Sequence, residues 1–177
     1  MKLGKNFFNR SAEEVARELL GKVLVRRIDG KLHRVKVIET EAYLSDKDET
    51  SKENYRSSRR FNLMWEGPGV IFTYLVHNHV MFCISTREKE VPESVFFRAF
   101  ESLNGDLRLN GPGILTKSLL IDNRLNGKYI DETDDLWIEE GKSENFEIVK
   151  AIRIGLKEKI PKLLRFYIKD NGSVSQN

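Results

Sequence analysis

The chain has a single cysteine, Cys83, set in the apolar run VMFCI. One thiol cannot close an internal disulfide and leaves no Cys-rich metal site to be built. Histidine is also sparse, at three residues. Two of them form a short segment, His77-Asn78-His79. Two imidazoles at a turn are a weak metal signal beside the plain reading of an exposed turn. Neither a metal nor an organic cofactor is expected. No apolar stretch reaches the roughly 18 residues of a membrane-spanning helix, so no membrane partner is expected. The first residues, MKLGKNFFNRSAEE, lack the apolar core of a secretion signal, and the expected location is intracellular. Repeats and low-complexity tracts are absent.

What is present fits one ordinary domain. The 177 residues are 40% hydrophobic, with ten Phe, and 32% charged. That length supports one core and hardly two. A single domain over 1–177 is expected, as a monomer, with 171–177 (NGSVSQN) as a flexible polar tail. The net charge of +3 says little by itself. Its distribution says more. Arg56, Arg59 and Arg60 share one polar stretch, and Arg153, Lys157, Lys159, Lys162 and Arg165 cluster near the C-terminus. Acidic residues gather at Asp131–Glu147. A basic face opposite an acidic edge is either an electrostatic footprint for DNA or an unevenly charged solvated surface.

Local signals outline the elements. Ser11-Ala12-Glu13-Glu14 is a capping box that opens a helix with Val15, Leu19 and Leu20 on its apolar stripe. Gly21 ends that helix. KVLVRRI (22–28) is a strand, Asp29-Gly30 a two-residue hairpin turn, and LHRVKVIETEAYL a long return strand. Residues 45–66 are polar and carry little periodicity, a long loop with room for a short helix, and such loops in compact domains are either functional or disordered. VIFTYLV (70–76) and VMFCIS (80–85) form a hairpin with the two histidines at its tip. ESVFFRAFES (93–102) is a strand, and Gly111-Pro112-Gly113 precedes a helix to about Leu120. DLWIEE (135–140), IVKAIRIGL (148–156) and LLRFYIK (163–169) are further strands. The expected class is α+β: a curved antiparallel sheet with flanking helices and a protruding β-hairpin.

Four places carry chemistry. Alternation along the long strand puts Val35, Val37, Glu39, Glu41 and Tyr43 on one face. Two carboxylates on a face with two valines are costly unless paired or used. Either the strand frays outward, or one carboxylate is catalytic beside an aromatic platform. Arg98 stands among Phe96, Phe97 and Phe100, so its guanidinium must find a carboxylate or phosphate. Glu41 is a candidate partner, and such a pair would lower the carboxyl pKa and keep it ionised. Tyr74 shares its strand face with Phe72 and Val76. The amides of a GPG turn at a helix start can hold a phosphate, although GPG is also an ordinary turn.

In order and at nearly the same spacing, FFNRSAEEVARELLGKVLVRR, VIETEAYL, FFRAFE, NGPGILTKSL, AIRIG and LLRFYI resemble the alkyladenine (3-methyladenine) DNA glycosylase family. The resemblance covers roughly residues 7 to 168. It implies that Glu41 activates the attacking water, that Arg98 stands beside that water, and that the backbone carbonyl of Ile154 is a third water contact. Tyr43 and Tyr74 would sandwich a flipped base, and His77 falls where the family places a wedging Tyr. Arg59, Arg60, Gly111 and Gly113 would meet the DNA backbone. Departures fall at Lys52, where the family has a His, and at Ile114, where a Lys commonly follows GPG. Ile84 falls where the family has an Asn that screens the pocket, unless a one-residue gap intervenes. The implied function is excision of alkylated or deaminated purines from damaged double-stranded DNA by base flipping and water attack, leaving an abasic site. The alternative is a catalytically silent nucleic-acid-binding module on the same scaffold.

Overall fold

The computed structural model describes residues 1–45, 59–105, 107–156 and 161–175, with the side chains of 59–61 outside that description. Helix α1 spans Lys5–Phe8 and α2 spans Ala12–Glu18. The capping box forms as read. The Ser11 hydroxyl accepts from the Glu14 amide, and the Glu14 carboxylate accepts from the Ser11 amide. Such a cap contributes about 1 kcal/mol to a helix this short. Gly21 takes φ +80, the left-handed conformation that lets the chain leave the helix at once.

Eight strands form one curled antiparallel sheet, in the order β3 (Ile71–Val76), β4 (His79–Thr86), β5 (Glu93–Ser102), β2 (Lys31–Tyr43), β1 (Val23–Ile28), β6 (Leu136–Glu139). Off this path, β8 (Arg165–Ile168) pairs with β2 and with β7 (Ile148–Ala151). The long strand β2 makes the architecture possible. Its first half pairs with β1 through residues 31–36, and Glu39, Thr40 and Glu41 pair with β8. The Asp29-Gly30 turn has φ +49 and +79, the two positive values that a tight hairpin requires. The main core lies on one sheet face. It contains Phe82, Phe97, Phe100 and Phe166 with Val15 of α2 and its C-cap Leu19, and Leu115 of helix α3 (Pro112–Ser118) and its C-cap Leu119. A second cluster, Met64, Phe72, Met81, Cys83 and Phe96 with Tyr43 and Tyr74, uses the alternate residues of β2–β5 and covers the other face.

Strict alternation fails inside β2. The register to β5 slips between Val37 and Glu39 and again between Glu39 and Thr40. Val37 pairs with Phe100, Glu39 with Ala99 and Thr40 with Phe97, so Ile38 is the extra residue on β2 and Arg98 the extra residue on β5. Such bulges re-aim side chains. Val35, Val37 and Ile38 all enter the main core. Thr40 hydrogen-bonds the Ala16 carbonyl of α2 at 2.8 Å. Glu39, Glu41 and Tyr43 are left on the opposite face. The valines therefore do not share a face with the carboxylates, as unbroken alternation implied.

Two further expectations change. The tail expected from residue 171 is folded through Ser175, which is buried and donates its amide to Glu39 at 2.7 Å. Two members of the C-terminal basic cluster do not face solvent. Arg153 and Arg165 are buried at 2% and 7% exposure and hydrogen-bond inward, to the Ala42 carbonyl and to Glu39. Short strands β7 and β8 bring these guanidinium groups to carboxylate and carbonyl acceptors that the linear sequence does not reveal. Lys157 and Lys159, like Arg56 and Lys52, lie outside the described residues.

Candidate active site

Glu41 is fully buried, on the face of β2 that carries the second cluster. Its Oε1 accepts from the Ile154 amide at 2.8 Å and stands 3.3 Å from Nη1 of Arg98. Its Oε2 accepts from the Tyr43 hydroxyl at 3.0 Å. Burial raises the carboxyl pKa above the ordinary range. Arg98, the Ile154 amide and the Tyr43 hydroxyl pull it down, and Glu39 pushes it up. The pair with Arg98 exists as read from sequence, but desolvation outweighs it, so the net shift is upward rather than downward. The result is a carboxylate whose neighbours favour ionisation and whose surroundings make it a stronger base than an exposed Glu.

Glu39 is equally buried and serves Arg98 rather than solvent. Its Oε1 lies 3.5 Å from Nε of Arg98 and accepts from Nη1 of Arg165 at 3.0 Å. Arg98 thus bridges both carboxylates, because its bulge position aims it between them. The frayed, solvated reading of the two carboxylates does not hold.

The aromatic platform is built beside Glu41. The Tyr43 ring meets Phe96 edge-on at 6.4 Å, and the Arg153 guanidinium lies 4.7 Å over it. Tyr74, half-buried on β3, joins the same cluster. Burial pushes the Tyr43 hydroxyl well above its usual pKa, with Glu41 adding to the shift, so it remains a donor. Sequence reasoning missed Cys83, which it treated only as an isolated thiol. Cys83 sits in this cluster and is hydrogen-bonded to Tyr74, and burial raises its pKa well above normal. Ile84, in contrast, packs in the main core. The site-facing residue on β4 is therefore one position earlier than an ungapped reading places it. The alternation of β4 could have shown this, since Met81 and Cys83 share a face.

At the far end of β3, His77 and Asn78 form the hairpin turn with φ +46 and +65. Both are exposed, as are Leu75 and Val76 beside them. The tip leans on α3. A Cβ on Gly113 would come within 2.8 Å of the His79 ring, so glycine is what permits this approach. Thr116 of α3 donates to the Val80 carbonyl at 2.9 Å. Gly111 precedes α3 and Pro112 opens it. The side chains of Arg59 and Arg60 fall outside the described residues, although their backbone begins a 3-10 helix over Arg59–Trp65.

The sequence profile of methylpurine-DNA glycosylases matches residues 6–172. The chain belongs to this family. Curated relatives extend along the whole chain. A candidate 3-methyladenine DNA glycosylase of Natranaerobius thermophilus is 33% identical, covering 100% of both chains. One of Clostridium perfringens is 36% identical over 99% of this chain and 100% of its own. Another, of Borreliella afzelii, is 36% identical over 98% of this chain and 100% of its own. Family membership makes this a protein of DNA repair, of the glycosylase type acting on alkylated purines. Within that frame, the structure joins Glu41, Arg98, Tyr43, Tyr74 and Ile154 in one site. Gly113, at the start of α3, packs against His79, at the base of the turn that carries His77. Ile114, exposed at 38%, follows Gly113 in α3. Among the described residues, no helix is long and apolar enough to cross a membrane.

Proposed function

We propose that the chain is a monofunctional purine-DNA glycosylase that extrudes a damaged nucleotide from duplex DNA and hydrolyses its glycosidic bond. The observation that carries the reading is Glu41: a buried carboxylate held by Arg98, the Ile154 amide and Tyr43 at the edge of an aromatic cluster. A base in a duplex cannot present its sugar carbon to a protein, so the nucleotide must rotate out. Tyr43 and Tyr74 stack on it, and an alkylated, cationic purine gains on the order of 0.5–2 kcal/mol from an aromatic face. As the bond breaks the sugar acquires oxocarbenium character. Glu41 offsets that charge and takes a proton from the attacking water, which the Ile154 carbonyl helps to position. The base leaves with the bonding electron pair and the water oxygen takes its place on the sugar, leaving an abasic site. Deaminated purines are included as substrates. The chain acts as a monomer.

The deciding experiment is base release from duplexes carrying 3-methyladenine, hypoxanthine or ethenoadenine. Release of at least one base is expected. Binding without release from any of the three would favour the silent-module reading, against which the intact Glu41 constellation stands.

His77 is the proposed wedge, and Arg59, Arg60 and the amides of Gly111 and Gly113 are the proposed phosphate contacts. His77→Ala is expected to slow excision from a well-paired duplex about tenfold more than from the same lesion in a mismatch, where flipping costs less. Equal loss on both substrates in single-turnover assays would return His77 to an ordinary surface turn. Arg108 and Lys117, exposed near α3, join Arg59 and Arg60 as the basic groups for the backbone. Affinity for undamaged duplex is therefore expected to fall with salt, with a log–log slope of about −3 to −4 if each of the four neutralises one phosphate. A slope near zero would remove these contacts.

A further inference from the structure

We propose that the C-terminal segment 171–175 is a clasp that positions Arg98 against Glu41, acting through Glu39. The inference rests on Glu41 being the water-activating carboxylate and assigns this segment a part in its tuning.

The geometry is a relay of buried groups. The Ser175 amide donates to Oε2 of Glu39 at 2.7 Å, and the Ser175 hydroxyl accepts from Nε of Arg98 at 3.4 Å. Oε1 of Glu39 faces Arg98 at 3.5 Å and Arg165 at 3.0 Å. The opposite end of the guanidinium, Nη1, faces Glu41. Ser175 is 7% exposed, although it lies far along the chain from β2 and β5. The segment reaches this place through a turn of its own, in which the Ser173 amide donates to the Asn171 side chain at 2.8 Å and the Val174 amide to the Asn171 carbonyl. Val174 packs on the main core.

Removing the clasp takes a donor from Glu39 and an acceptor from Arg98. Oε2 of Glu39 loses the Ser175 amide and attracts Arg98 more strongly. The guanidinium loses the hydroxyl that fixes its Nε edge. Both changes weaken the hold of Arg98 on Glu41. Besides Glu39 and Arg98, the groups around Glu41 are unaltered: Tyr43 on β2, Cys83 on β4, hydrogen-bonded to Tyr74 on β3, Arg165 on β8, and Arg153 and the Ile154 amide after β7. Since Arg98 favours the ionised carboxylate, a looser Arg98 moves the titration of Glu41 to higher pH. The active form is the carboxylate, so the acidic limb of the rate profile moves the same way. Ser175 and Glu39 are thus positioning residues, not catalytic ones.

The test uses the full chain, a truncation ending at Asp170, Ser175→Pro, which removes the amide proton, and Ser175→Ala, which removes only the hydroxyl. The titration of Glu41 is followed by carbon-13 NMR of labelled Glu carboxyls, assigned by its loss in Glu41→Gln. Single-turnover excision is measured against pH in parallel. The truncation and Ser175→Pro are expected to raise the Glu41 midpoint and the acidic limb together, and to slow excision about tenfold below that limb. Ser175→Ala should move both in the same direction by less. An unmoved midpoint in folded truncated chain or Ser175→Pro overturns the clasp. Should neither fold, an unmoved midpoint in Ser175→Ala overturns it. A loss of rate at every pH with an unmoved acidic limb also overturns it, since that is what a merely structural tail would give. The NMR titration needs no turnover, so an unmoved midpoint refutes the clasp, whereas a wild-type chain that releases no base refutes the glycosylase reading.

Discussion

Glu41→Gln should lower single-turnover base release by about 10²–10⁴-fold, the range that a general base contributes, and leave lesion binding within a few-fold. The amide oxygen can still accept from Ile154, and the side-chain shape is unchanged. What disappears is the proton acceptor and the negative charge beside the developing oxocarbenium ion. Turnover near the wild-type rate would show that another group activates the water. Glu39→Gln provides the comparison. Taken from sequence alone, Glu39 is a bystander whose loss is mild. In the structure it holds Arg98, Arg165 and the Ser175 amide, so an intermediate loss of rate with a lower melting temperature is expected.

Arg98→Met should cost about 3–5 kcal/mol of stability near neutral pH, the usual consequence of breaking a buried ion pair from one side. The guanidinium is buried and faces two buried carboxylates. A Met side chain fills similar space and, among the described residues, leaves Glu41 with the Ile154 amide and the Tyr43 hydroxyl as donors. The pH dependence has a definite sign. Burial already raises the folded-state pKa of Glu41 above its unfolded value, and removal of Arg98 raises it further. A carboxyl with a raised folded pKa supports folding below its unfolded pKa, and that support is lost as pH rises through the folded pKa. The deficit of Arg98→Met should therefore be largest at neutral pH and shrink at a more acidic pH, as protonation of Glu41 relieves the unpaired site. Urea unfolding at the two pH values measures this. An equal deficit at both would mean that Arg98 contributes packing rather than charge. Activity should fall with stability, because the water site loses its cation and Glu41 protonates more readily.

These two variants also show where the linear reading stopped. The sequence brought Glu41, Tyr43 and Arg98 forward because carboxylates and a guanidinium among apolar neighbours need partners. It could not tell that Arg98 would be an extra residue on a bulge, since a bulge depends on how two distant strands accommodate each other. It also grouped Arg153 and Arg165 with a basic face, whereas both are buried. A cationic side chain in a strand reads as solvated until another strand delivers a buried carboxylate to it. Cys83 was not recognised as a site residue for a related reason: whether an apolar run presents its odd or even residues to a site depends on the register of the hairpin that carries it.

Local chemistry alone determined the helix cap at Ser11, the Asp29-Gly30 turn, the long strand β2, the His77 hairpin and the α+β class. Each of these follows from hydrogen bonds or dihedral preferences within a few residues, so neighbouring letters suffice. Only the tertiary structure decided which face of β2 holds the carboxylates, the net direction of the Glu41 pKa shift, and the return of residue 175 to the site. Those outcomes depend on desolvation and on pairing of β2 with β5 and with β8, the latter more than 100 residues away in sequence where Arg165 meets Glu39. Such energies exist only once the chain has closed around the groups concerned.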